Sequence, residues 1–108
     1  MPTPATEQSP KTKVIFRKWH NGEVIALFPE LPHDVNGIYC VSYERIGQHG
    51  AADAQSCVSR TTPATPQESA ELAQELKRIG YDLKPISRIP SNAYQARKSA
   101  LALTTLNK

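Results

Sequence analysis

Only two cysteines, Cys40 and Cys57, occur in 108 residues, too few for a disulfide framework. The first ten residues, MPTPATEQSP, lack the apolar core of a secretory leader, and no run approaches the ~18–20 apolar residues of a membrane span. The expectation is a cytoplasmic chain with reduced thiols and no membrane association. Metal-ligand spacing is also missing. His20, His33, His49, Asp34, Asp53 and the two cysteines form neither Cys-x-x-Cys nor His-x-x-x-His, so no metal and no cofactor is expected. There is no internal repeat. Acidic residues are absent from the C-terminal quarter: residues 1–82 hold all ten Asp/Glu with eight Lys/Arg, whereas residues 83–108 hold five Lys/Arg and no acid. A mildly acidic body with a basic end favours an acidic partner or serves as a solvated tail.

At this length one core is the expectation, spanning residues 13 to 89, with a disordered N-terminal tail over 1 to 12 and a basic tail or helix over 90 to 108. KVIFRKW and EVIALFP flank His-Asn-Gly-Glu, and Asn21-Gly22 suits a two-residue hairpin turn. That turn predicts Phe16 opposite Leu27 and Lys18 opposite Ile25. Val14, Phe16, Ile25 and Leu27 then share one face, and Ile15, Trp19, Val24, Ala26 and Phe28 the other. Both faces are apolar, so each needs a cover: a helix on one, and on the other the C-terminal segment, a second copy or a partner.

After a breaker-rich loop, PELPHDVNG, the run IYCVSYERI reads as a third strand with Tyr39, Val41 and Tyr43 on one face. GQHGAAD then reads as a glycine-permitted connection, and AQSCVSRT as a weak fourth strand. Thr65, Pro66 and Glu68 spell a capped helix start, with an apolar stripe of Leu72, Ala73, Leu76 and Ile79 and Gly80 as its stop. YDLKPISRI follows as a last strand with Pro85 at an edge or end. SNAYQARKSALALTTL reads as a helix capped by Ser91, with Ala93, Ala96, Ala100 and Leu103 on one side and Arg97 and Lys98 on another. The expected class is α+β, in ββββαβ order, with a small mostly antiparallel sheet, one packed amphipathic helix and a C-terminal helix as an option.

The segments FRK…GEVIALFPE, YERIGQHGAAD and TPATPQESAELAQELKRIGYDLK resemble a family of short bacterial proteins without an assigned function, many borne on phage or plasmid-like elements. The resemblance spans residues 13 to 88. It implies a bacterial setting and an accessory or regulatory role, and it carries over no catalytic residue.

Three functions compete on the residues. His49 and Asp53 are the types of a general-base pair, the seed of a hydrolase or metal reading. Gln48 and His49 within GQHG lack the spacing and lysine of a phosphate loop. Tyr39 and Tyr43 with Arg45, joined by Arg97 and Lys98 of the basic end, are the types of a nucleic-acid stacking surface, although the glycine-aromatic RNA-binding strand motif is missing. The leading expectation is a non-enzymatic accessory protein that binds a protein partner, with a homodimer as one form of it.

Overall fold

The computed structural model describes residues 11–44 and 48–106, without the side chains of residues 48 and 103–106. The architecture is α+β. The strands are β1 (Thr12–Lys18), β2 (Val24–Pro32), β3 (Cys40–Glu44), β4 (Gln48–Ala52), β5 (Thr62–Pro63) and β6 (Leu83–Pro85). The helices are α1 (Ala54–Arg60), α2 (Pro66–Ile79) and α3 (Ala93–Leu106). The sheet runs β4-β3-β2-β1, and the far side of β1 is shared: β5 pairs antiparallel with its end and β6 parallel with its start.

The first hairpin forms, with a register one residue away from the expected one. Ile15 faces Leu27, Phe16 faces Ala26 and Lys18 faces Val24. The cause is the turn. Gly22 N–H donates to the Trp19 carbonyl (2.8 Å), Trp19 N–H to the Glu23 carbonyl (2.7 Å), and Gly22 alone supplies a glycine at positive φ (94°). This is a three-residue loop closed by a glycine bulge rather than a two-residue turn. One slipped residue re-sorts the faces. Val14, Val24, Ala26 and Phe28 now pack with Tyr43, Leu72, Leu76 and Leu83. Ile15, Ile25 and Leu27 pack with Cys40, Ala52 and Ala54 on the other side.

Both faces are apolar and both are covered from within the chain. α2 lays Leu72 and Leu76 on the first. The second is covered by α1, through Ala54, Cys57 and Val58, together with Ile86 and Ile89. The sequence reading made a strand of AQSCVSRT. It is a helix because Asp53 caps it, accepting from Ser56 N–H (3.4 Å), and because Ala54, Cys57 and Val58 fall at helical spacing. The fourth strand lies instead inside the supposed connection, where His49 pairs Tyr43 and Gly50 pairs Ser42. β2 also runs on through Pro29 and Pro32. A register shift between Phe28 and Pro32 lets two prolines without amide donors sit in a central strand.

α2 starts as its sequence dictates. Thr65 Oγ1 accepts from Glu68 N–H (3.1 Å), Glu68 returns the bond to Thr65 N–H (2.9 Å), and Lys18 reaches the Glu68 carboxylate (2.5 Å). The Lys18 ammonium, with the Thr65 amide, holds that carboxyl below its usual range. Gly80 ends the helix at φ 123°. Ile79, expected in the stripe, is half exposed. Pro85 does sit at a strand end. The C-terminal segment is a helix packed on β2, and its first i→i+4 bond, Ala96 N–H to the Asn92 carbonyl (2.9 Å), moves the cap position from Ser91 to Asn92.

Candidate functional site

The segment after β2 is a tight loop built on Asp34. Its carboxylate accepts from Tyr39 N–H (2.9 Å), its carbonyl accepts from Gly37 N–H (3.1 Å), and His33 N–H donates to the Tyr39 carbonyl (3.0 Å). The Tyr39 amide holds the Asp34 carboxyl below its ordinary value. Gly37 turns the chain at φ 71°, and a Cβ there would stand 3.3 Å from both Leu101 Cδ1 and Lys98 Cδ. Glycine is therefore needed twice, for its backbone and for the approach of α3. This loop leaves Val35, Ile38 and Tyr39 exposed, at 86%, 56% and 44%.

α3 is fastened to the loop by Arg97. Nε donates to the Gly37 carbonyl and Nη1 to the Pro29 carbonyl, both at 2.7 Å, and the side chain is buried. Tyr94, one turn earlier, is half exposed, with the Arg97 guanidinium 5.8 Å and the Lys98 ammonium 6.0 Å from its ring centre. Between loop, α1 and α3 lies an open groove of about 330 Å³. Ile38, Ile89 and Tyr94 make its apolar side, and Asp53, Gln55 and Arg97 its polar side. Apolar anchors beside fixed polar groups can hold an extended peptide or a small apolar side chain.

A second constellation sits where β3 and β4 meet the end of α2. The Tyr43 hydroxyl donates to the Glu75 carboxylate, and His49 Nε2 lies 3.0 Å from the Tyr81 hydroxyl. The Tyr43 and His49 rings meet edge-on at 4.7 Å, and Tyr81 stacks on Phe28 at 4.8 Å. The bond to Glu75, with burial second, raises the Tyr43 phenol above its usual value; burial raises Tyr81. These groups bind one another at the edge of the α2 core, with Tyr43 inside it, Tyr81 packed against it and His49 exposed.

The residues singled out from sequence separate accordingly. His49 and Asp53 are engaged apart: His49 with Tyr81, Asp53 with the first turn of α1. Tyr43 is buried in the core and Tyr39 lies outside β3, so the two tyrosines do not make one flat strand face. Gln48 starts β4 opposite Glu44, and Arg45 lies outside the described residues. Asp53 and Arg97 do come together in the groove, and Lys98 lies beside its Tyr94 wall, outside the lining itself. Sequence reasoning missed Ile38, Gln55, Ile89 and Tyr94 there, and Glu75 and Tyr81 beside His49. The single aromatic in a polar helical stretch, Tyr94, was the available signal.

Cys40 and Cys57 are free thiols of the second core. Burial pushes Cys40 up to about 11 and raises Cys57 as well. Among the described residues no three His, Cys, Asp or Glu side chains gather to hold a metal ion, and no helix is long and apolar enough to cross a membrane. Comparison with protein-family models, with curated proteins and with solved structures returned no match.

Proposed function

We propose that this chain is a non-enzymatic binding protein that takes an acidic protein segment with an apolar anchor into the groove between the 33–39 loop, α1 and α3. One observation carries the reading. Large apolar side chains go inside nearly everywhere, yet Val35, Ile38, Tyr39 and Tyr94 stand exposed on two of the three elements that wall this groove, with Ile38 and Tyr94 in its lining. The charge of the surroundings selects the partner. Residues 83–108 carry only cations, and Lys98 and Arg88 are exposed near Tyr94 and Ile89. The resemblance of the sequence to small bacterial proteins on mobile elements supports an accessory or regulatory role in a bacterial cytoplasm.

Selection from a displayed peptide library tests this. Segments enriched by the native chain should share an aliphatic or aromatic residue among Asp and Glu, and an Ile38→Asp/Tyr94→Ala variant should enrich none of them. Enrichment without acidic residues, or equal enrichment by the variant, contradicts the reading. So does a tight, salt-sensitive complex with oligonucleotide that leaves the groove untouched, or a stable dimer that buries it.

A further inference from the structure

β5 and β6 share one side of β1 and leave a slot between them. β6 pairs with Thr12 to Val14 and ends at Pro85; β5 pairs with Arg17 and Lys18 and ends at Pro63. Past the prolines, Ala64 N–H donates to the Phe16 carbonyl (3.1 Å) and Ile86 N–H to the Val14 carbonyl (2.8 Å), and the two segments then part on either side of Ile15. The result is a cleft of about 320 Å³ with predominantly apolar walls, including Ile15, Phe16, Ala70, Ala73 and Ile86. Its volume lies within the ~300–1,000 Å³ range of small-molecule sites.

Arg17 also lines this cleft and is 8% exposed. Nε donates to Thr61 Oγ1 (2.9 Å), and Nη2 to the carbonyls of Val58 (2.8 Å) and Thr61 (2.6 Å). Every one of these acceptors is neutral. Among the described residues no carboxylate pairs with Arg17, and Nη1 has no hydrogen-bond partner. No fully buried side-chain nitrogen or oxygen among them is unsatisfied, so Nη1 is not completely enclosed. A nearly buried cation without a counter-charge is costly, and an anion beside it recovers that cost. The fixed fork presents its free nitrogen in a set direction, the geometry a carboxylate uses well.

We infer that the cleft between β5, β6 and α2 binds a small organic anion, a carboxylate on an apolar body, with the carboxylate on Arg17 Nη1 and the body against Phe16, Ala73 and Ile86. This site is separate from the proposed peptide groove, and neither reading depends on the other. Burial of apolar surface supplies the affinity, and Arg17 supplies the preference for charge.

Titration of the 15N-labelled chain with 2-naphthoate, and in parallel with the uncharged 2-naphthamide, tests the inference without any variant. Expected are saturable shifts of the Phe16, Ala64, Ala70, Ala73 and Ile86 amides with naphthoate. Naphthamide should bind roughly tenfold or more weakly, the effect of removing a charge-assisted bond. Arg17→Met also removes bonds that hold α1, so the blocking variant is Ala70→Trp, at an exposed position on the cleft wall. It should lose naphthoate binding roughly tenfold or more with the amide spectrum otherwise preserved. No shifts at millimolar naphthoate, equal binding of the two probes, or shifts centred on the α3 groove would overturn the inference.

Discussion

Arg97 illustrates what a single side chain decides here. It belongs to the basic end of the chain, yet its guanidinium is spent on the Gly37 and Pro29 carbonyls, and it fixes one wall of the groove against another. Arg97→Ala should lower stability by on the order of 2–4 kcal/mol, read by urea unfolding, because two buried carbonyls lose a charged donor. Arg97→Lys should recover only part of this, since one ammonium cannot reproduce the planar fork. Unchanged stability would mean that α3 is not held by this residue. The thiols give a second test. Cys40 is buried with its value pushed to about 11, whereas Cys57 is partly exposed. Iodoacetamide should alkylate Cys57 well before Cys40 in the native protein. The sign follows from the raised value: folding favours the neutral Cys40 thiol. Its contribution is complete below the ordinary thiol value near 9.0 and is lost as the pH rises to about 11. A native state that gains stability over that interval contradicts the burial of Cys40.

Elements differ in how plainly their residues announce them. α2 is written in full, because cap, proline, reciprocal Glu68 bond and terminal glycine are all local devices. Thr65→Ala should cost ~1 kcal/mol in thermal or urea unfolding. α1 was not legible as a helix: seven residues give less than two turns of periodicity, and Asp53 reads equally well as a turn residue. The hairpin residues Asn21 and Gly22 were visible, but the choice between a two- and a three-residue loop shifts the register by one and exchanges the inward set of β1 against β2. The requirement that both faces be covered was legible; that α1 covers the second was not. The 33–39 loop depends on Gly37. Gly37→Ala forces a side chain into the left-handed region and against Leu101 and Lys98, so a loss of at least ~1–2 kcal/mol is expected. If Gly37→Ala leaves unfolding unchanged, α3 does not pack as closely as the 3.3 Å approach requires.

At the scale of the whole molecule, the interior is self-sufficient. Two apolar layers are filled by α2 on one side and by α1 with Ile86 and Ile89 on the other, so no second copy is needed to complete the core. The groove proposed for a partner lies at the rim at one end, where elements more than fifty residues apart in sequence converge. That distance is why the groove could not be read from spacing: Ile38, Asp53 and Tyr94 belong to three segments whose meeting depends on the Arg97 and Gly37 packing. His49 lies among Tyr43, Glu75 and Tyr81 at the exposed edge of the core that α2 covers.

The two places make opposite claims on one measurement. Calorimetric titration of a selected acidic, apolar-anchored peptide into the native chain, into Ile38→Asp/Tyr94→Ala and into His49→Ala decides between them. Expected is binding weakened by roughly tenfold or more in the groove variant and unchanged in His49→Ala, with folding intact in both. Full binding by the groove variant, or its loss in His49→Ala, would contradict the assignment of function to the groove.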